Sequence, residues 1–142
     1  FAFGGASSHD ISEGILDRAD FKSDDEFYDT WYHWRKTRRM FRVNHESWWK
    51  EELPSEDEMK HAMQQLAKHD FKVDYICSHT APREVAAAIG YGEMSDEETE
   101  LRRYLQRIAD YTEFDAWYFG HFHEDSEVED MFYCLYDDVV EI

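Results

Sequence analysis

Residues 117–123, Trp-Tyr-Phe-Gly-His-Phe-His, decide how the rest of the chain is interpreted. An apolar run ends abruptly in a glycine and two histidines, which is typical of a buried strand that stops at a site. If the extended geometry persists, His121 and His123 point to the same side, about 6.5–7 Å apart along the chain, and Gly120 lets the backbone approach a neighbour. Neutral imidazoles are good ligands for Zn, Mn or Fe, so the pair predicts a metal site. Two surface histidines at a strand end are the alternative.

A second predicted strand also ends in a histidine. Residues 73–77 have strand character and are followed by Ser78-His79-Thr80-Ala81-Pro82, where Pro82 stops regular pairing. The C-terminal part then alternates helix, strand, helix, strand, strand, which predicts an α/β fold with ligand sites at the strand ends. Both histidine motifs are therefore expected at one edge of the same sheet.

Three helices are predicted from capping signals. Residues 55–58 form a capping box followed by an apolar stripe, and residues 95–98 precede a similar stripe. Residues 23–26 open an aromatic helix whose last turn is rich in arginine. A basic, aromatic nucleic-acid surface is one interpretation of that helix, and an ordinary amphipathic helix with aromatic core residues is the interpretation we favour.

The chain is strongly acidic. Its 142 residues carry 33 acidic and 15 basic side chains, a formal net charge of −18. Such a surface repels nucleic-acid phosphates and anionic lipids, which makes both improbable partners. No apolar run reaches the roughly 18–20 residues that a membrane span needs. The length suits one domain with its own core.

The two cysteines, Cys77 and Cys134, lie in apolar strand-like runs. We expect buried free thiols of a cytoplasmic protein here, because two such cysteines do not suggest a disulfide framework. No signal peptide is visible, and the first residues, Phe-Ala-Phe-Gly-Gly, begin in what reads as the middle of a strand. We therefore expect the chain to be a piece of a longer polypeptide.

Taken together, the segment 73–82, the helix after it and the stretch 116–123 resemble the C-terminal half of calcineurin-like metallophosphoesterases. Members of that family close their site with a strand-end histidine in a Thr-His or Ser-His setting followed by proline, and with a later Gly-His-x-His. The resemblance extends over most of the chain, except for residues 23–42, which look like a helical insertion into a single domain spanning 1–142.

The resemblance implies a fold and an activity. The fold would be α/β, the C-terminal half of a double β-sheet sandwich flanked by helices. The activity would be hydrolysis of a phosphomonoester or phosphodiester at two divalent metal ions, Mn, Fe, Zn or Ni. By the resemblance, His79 and His121 would bind one ion and His123 the other. Substrate choice would depend on residues 23–42 and the pair Trp48-Trp49.

The chain also departs from the family. It contains no Asp-x-His, no Gly-Asp and no Gly-Asn-His, which supply the remaining ligands in the family's first half. Val43-Asn44-His45-Glu46 imitates the last motif, but it lacks the glycine and comes too late in the chain. The chain therefore needs a missing N-terminal half or another chain to complete the site, and such a half sandwich would expose an apolar sheet face. The alternatives are a catalytically inactive acidic remnant that acts as an interaction module, and an oxygenase-type site of three histidines.

Overall fold

The computed structural model describes residues 1–92 and 96–141. The chain divides into two compact units, one formed by Phe1–Ser7 with Leu53–Ile142, and one formed by Ser8–Glu52. The predicted insertion, residues 23–42, lies inside the second unit, which is wider than the prediction on both sides. All three residues of the candidate metal site belong to the first unit.

The described residues form seven strands and four α-helices. The strands are β1 (Ala2–Phe3), β2 (Ile15–Leu16), β3 (Arg42–Val43), β4 (Tyr75–Ser78), β5 (Ala116–Phe119), β6 (Ser126–Val128) and β7 (Phe132–Cys134). The helices are α1 (Asp24–Lys36), α2 (Glu56–Lys68), α3 (Arg83–Ala88) and α4 (Asp96–Tyr111). The α/β class predicted from the sequence is confirmed. The double-sheet sandwich stays a prediction.

The first unit is built on a five-stranded sheet with the order β1-β4-β5-β7-β6. The first four strands are parallel, and β6 joins the edge antiparallel to β7. The strand β6 thus lies within the acidic stretch 124–130, and residues 139–140 lie outside any strand.

One face of this sheet is covered by helices. Side chains of Ile76, Trp117, Phe119 and Phe132 point to that face and pack with apolar residues of α2, α3 and α4 in one buried cluster. Trp117 is fully buried, and its indole N–H donates to the Ser78 hydroxyl at 2.7 Å. This bond satisfies the polar atom that burial of a tryptophan brings into a core.

The opposite face of the sheet carries tyrosines. The register pairs Cys77 with Tyr118 and Tyr118 with Tyr133, so these side chains share that face with Tyr75. The rings form a row, with centroid separations of 6.2 Å between Tyr75 and Tyr118 and 5.4 Å between Tyr118 and Tyr133. Tyr75 and Cys77 are exposed. We refer to this surface as the tyrosine face. Parallel sheets normally have both faces covered, and this face is built from side chains suited to burial.

The capping signals locate two of the helices. Ser55 accepts from the Glu58 backbone N–H, and Glu58 accepts from the backbone N–H of Ser55, so the predicted capping box is confirmed. Ser23 likewise accepts from the Glu26 N–H at the start of α1. Ser95, the predicted cap of α4, lies outside the described residues. The short helix α3 was not predicted, and Pro82 stands at its N-cap.

The second unit has its own small core of Leu16, Phe27 and Val43, surrounded by Trp31, Trp34 and other aromatic side chains. β2 and β3 pair in parallel beside it. Gly14 is required there, because its φ is +128° and an added Cβ would lie 3.1 Å from the Trp34 ring. The aromatic residues of α1 thus contribute to packing, as the simpler interpretation of that helix predicted.

Within the described residues, no helix combines the length and the apolar character that crossing a bilayer requires.

Candidate metal centre

The carboxyl edge of the five-stranded sheet gathers the ends of its parallel strands. His79 directly follows β4, and Gly120 directly follows the neighbouring strand β5. The Gly120 N–H donates to the His79 carbonyl at 3.0 Å, which joins the two ends. The prediction that both histidine motifs lie at one edge of one sheet is confirmed.

The imidazoles of His79 and His121 meet at this edge. Their ring centroids are 5.1 Å apart, with an angle of 64° between the ring planes. His79 is exposed, whereas the His121 side chain is only 9% exposed. The pair therefore has one ring facing solvent and one ring held in the protein.

His123 departs from the strand geometry that the sequence suggested. β5 ends at Phe119, and both histidines have left-handed backbone, with φ of 75° at His121 and 53° at His123. The condition under which His121 and His123 would point to the same side, an extended chain through His123, is therefore not met. His123 is exposed, and its ring stacks on Tyr136 at 5.1 Å with an interplanar angle of 23°.

Phe122 explains why the chain turns here. In an extended strand this residue would face away from Phe119 by two-residue alternation. Instead Phe122 is buried, and its ring lies 5.9 Å from Phe119 and 4.5 Å from Tyr91. Burying a phenylalanine stabilises the fold by about 1.5–3 kcal/mol, which offsets much of the roughly 2–4 kcal/mol that the two left-handed residues cost. The turn thus follows from an apolar residue placed between two histidines.

Gly120 does not have the role that the sequence predicted for it. A Cβ at this position would lie 3.5 Å from the Leu135 carbonyl and 4.0 Å from the His79 carbonyl, which are ordinary contacts. A close approach of backbone therefore does not explain the glycine, and nothing else in the described surroundings requires it.

Glu98 also lies at this edge of the sheet, and the sequence interpretation did not single it out. Its side chain is fully buried, and it receives hydrogen bonds from the Ser7 backbone N–H, the Thr80 hydroxyl and Arg102 Nε, at 2.7, 3.0 and 3.0 Å. One signal was available. Glu98 precedes Leu101 by three residues and Leu105 by seven, so it occupies the apolar stripe of α4 and not its solvent face.

The remaining candidate residues have structural surroundings. In the segment 43–46, Asn44 donates to Asp17 at 2.5 Å and Glu46 forms a salt bridge with Arg18 at 3.0 Å. Both side chains therefore have protein partners within the second unit. Arg83 is exposed. Cys134 is a buried free thiol, as predicted. Cys77 is also a free thiol, but it is exposed, because its side chain lies on the tyrosine face.

A cavity of about 470 Å³ lies apart from these histidines, between α2 and α4. Met59, Met63, Tyr104 and Tyr111 give it an apolar lining, and Lys60 and Arg107 stand among its other lining residues. None of the predicted metal ligands lines it.

Among the residues that the structure describes, no group of three or more His, Cys, Asp or Glu side chains is placed to hold a metal ion. His79, His121 and His123 therefore do not form such a group between them. Comparison of the chain with protein-family models, with characterised proteins and with solved structures finds no match.

Proposed function

We propose that this chain contributes part of the metal centre of a phosphoesterase, an enzyme that hydrolyses phosphomonoesters or phosphodiesters at two divalent ions. His79 and His121 would bind one ion, and His123 would bind the other. The observation that carries the proposal is the meeting of the His79 and His121 rings at the carboxyl edge of a parallel sheet. That edge is where α/β proteins bind ligands.

The separation of the two rings supports a shared ion. With Zn–N bonds of about 2.0–2.1 Å, each ring centroid lies about 3.2 Å from a tetrahedral ion, which puts the two centroids about 5.2 Å apart. The observed separation is 5.1 Å. The observed separation is therefore compatible with two ligands of one ion.

The other ligands have to come from outside these residues. A catalytic zinc site uses at least three protein ligands, and the described residues offer no group of three. The tyrosine face offers a place where a second polypeptide segment could attach, since it lies on the same sheet whose edge carries the histidines. We propose that a second β-sheet layer, carrying carboxylate and histidine ligands, packs on this face.

The metal ions would polarise the phosphoryl oxygens and supply a hydroxide nucleophile near neutral pH. The contribution of this chain is positional. His79 and His121 would offer ring nitrogens as metal ligands from the ends of two neighbouring strands. The hydrogen bond from the Gly120 N–H to the His79 carbonyl holds these two strand ends together. The net charge of −18 disfavours non-specific binding of long polyanions, so the chain suits a small phosphorylated substrate better than nucleic acid.

The test is a Mn²⁺ titration of the longest natural polypeptide that contains these residues, with binding followed by calorimetry and by paramagnetic broadening of the imidazole signals. We expect the variants His79→Ala and His121→Ala each to weaken Mn²⁺ binding by at least about tenfold, because each removes a ligand. His61→Ala is the matched control, since His61 is exposed on α2 and lies outside the site. Equal affinity in all three variants and the unaltered chain would contradict the proposal.

Activity is tested separately, with a chromogenic phosphodiester and Mn²⁺, in the longest natural polypeptide that contains these residues. Hydrolysis that disappears in His121→Ala and persists in His61→Ala is the expected result.

A second candidate function is protein interaction without catalysis, and the tyrosine face is the observation that favours it. Under that function the chain associates through Tyr75, Tyr118 and Tyr133, while Mn²⁺ binds no better to it than to His79→Ala. Association measured by light scattering together with the Mn²⁺ titration distinguishes the two.

A further inference from the structure

Glu98 is a buried carboxylate beside the strand ends that carry His79 and His121. Its side chain is fully buried, and the neighbouring Arg102 side chain is 4% exposed. Removing a charge from water is costly unless the charge is paired and its hydrogen-bonding capacity is used. The Arg102 guanidinium, at 3.0 Å from Oε1, supplies the pair within one turn of α4.

The same carboxylate joins the ends of two strands. Ser7, in the segment that follows β1, donates its backbone N–H to Oε2 at 2.7 Å. Thr80, next to His79 in the turn after β4, donates its hydroxyl to Oε1 at 3.0 Å. Thr80 is itself fully buried, so this turn is fixed from inside the protein.

The carboxylate also faces the second histidine. His121 Nε2 lies 3.9 Å from Glu98 Oε1, which is longer than a hydrogen bond and within the range of a direct electrostatic contact. Arg102 contacts the residue between the two histidines of the Gly-His-Phe-His segment, because its guanidinium lies 5.2 Å from the centroid of the Phe122 ring. The same guanidinium donates to the Tyr91 and Gly92 carbonyls at 3.2 and 3.1 Å.

We propose that Glu98 is a positioning residue that sets the orientation of the two histidines. The carboxylate holds His121 with Nε2 protonated toward it, so the imidazole lone pair lies on Nδ1, the nitrogen that would bind the ion. Through Thr80 it fixes the turn that carries His79. Carboxylates commonly fix the tautomer of ligating histidines in this way. The part that concerns metal binding rests on the proposed function, and the orientation of His121 does not.

The first experiment needs no substitution. Two-dimensional ¹H–¹⁵N NMR of the metal-free chain at pH 8, where an ordinary imidazole is neutral, reads the tautomer of each histidine. His121→Gln identifies the His121 signals by their disappearance. The expected result is that His121 has a higher Nε2–H fraction than the exposed His61. An Nε2–H fraction no higher than that of His61 would overturn the proposal even if the chain binds metal.

The second experiment compares Glu98→Gln with Glu100→Gln, a matched control on the same helix whose side chain is 68% exposed. We expect Glu98→Gln to shift His121 away from the Nε2–H tautomer and to weaken Mn²⁺ binding by about 10–100-fold, while Glu100→Gln changes neither. A folded Glu98→Gln chain that keeps both the tautomer and the affinity would refute the positioning role.

Glu98→Gln replaces the charged acceptor of Arg102 Nε by a neutral one. If this variant does not fold, the tautomer in the unaltered chain decides alone. If the longest natural polypeptide binds no Mn²⁺ but the chain shows the expected tautomer, the proposed function fails and the positioning of His121 stands.

Discussion

The two faces of the five-stranded sheet are made from alternate residues of the same strands, yet they have different surroundings. Trp117 and Tyr118 are neighbours in β5, and Trp117 is fully buried under helices whereas Tyr118 is only partly buried in the tyrosine face. The difference lies in chemistry as well as exposure. The covered face uses aliphatic and aromatic side chains, while the other uses tyrosines, which keep a hydroxyl in water until something covers them. The helices α2, α3 and α4 complete only one side of this unit.

The largest expected effect comes from neighbouring substitutions on the two faces. Trp117→Ala should lower the free energy of unfolding by about 3–5 kcal/mol, because it leaves a large cavity and deprives the Ser78 hydroxyl of its donor. Tyr118→Ala should cost about 1 kcal/mol or less, as for substitutions at partly exposed sites. Urea denaturation of both variants measures the difference. Equal losses would show that the tyrosine face is already part of a packed core.

The two thiols provide a chemical version of the same comparison. Cys77 is exposed on the tyrosine face, whereas burial raises the pKa of the Cys134 thiol. Iodoacetamide should therefore alkylate Cys77 at least about 100-fold faster than Cys134, which reacts only after local opening. Mass spectrometry of the single variants Cys77→Ser and Cys134→Ser gives the two rates. If the proposed second layer binds the tyrosine face, its addition should protect Cys77 and leave Cys134 unaffected.

A smaller effect is expected at the start of α2, one of the covering helices. Ser55→Ala removes the hydroxyl that accepts from the Glu58 N–H, and it should cost about 1 kcal/mol. Ser55→Asp keeps an acceptor and should restore most of the loss. Thermal unfolding of the three proteins tests this order, and an alanine variant as stable as the unaltered chain would contradict it.

The smallest effect concerns pH and the loop beside His123. Backbone N–H groups of Tyr136, Asp138 and Asp137 donate to Asp125 and hold its pKa below the ordinary value of 3.8. A carboxylate with a lowered pKa stabilises the fold at pH values above its unfolded pKa, and this contribution disappears as pH falls through the folded pKa. Asp125→Asn should therefore flatten the acid limb of a stability profile between pH 6 and pH 2.5. An unchanged acid limb would show that these hydrogen bonds do not persist in solution.

The arrangement of the site was predictable where a rule of sheets applies. Two strands that each end in a histidine bring those histidines together if the strands are parallel neighbours, and this is what places His79 beside His121. The capping box at Ser55 and the stripe that follows it determined α2 in the same way, because both signals are local.

Other features depended on tertiary packing. His123 does not continue the extended backbone of β5, because the chain turns so that Phe122 is buried. The alternation of side chains along a strand does not reveal this tertiary contact. Glu98 was read as a capping residue, although its place in the stripe of α4 puts it inside. The pairing of Ile15–Leu16 with Arg42–Val43 is too short and too distant along the chain to leave a sequence signal.

The pairing of β1 with β4 has a consequence for how the chain is made. Ala2 pairs with Cys77 and Phe3 pairs with Ser78, so the two strands are 75 positions apart along the chain. At about 5–20 residues per second, the ribosome needs about 4–15 s to deliver the partner strand after the first one has emerged. During that interval Ala2 and Phe3 have no strand to pair with, so this edge of the sheet forms only after β4 has been synthesised.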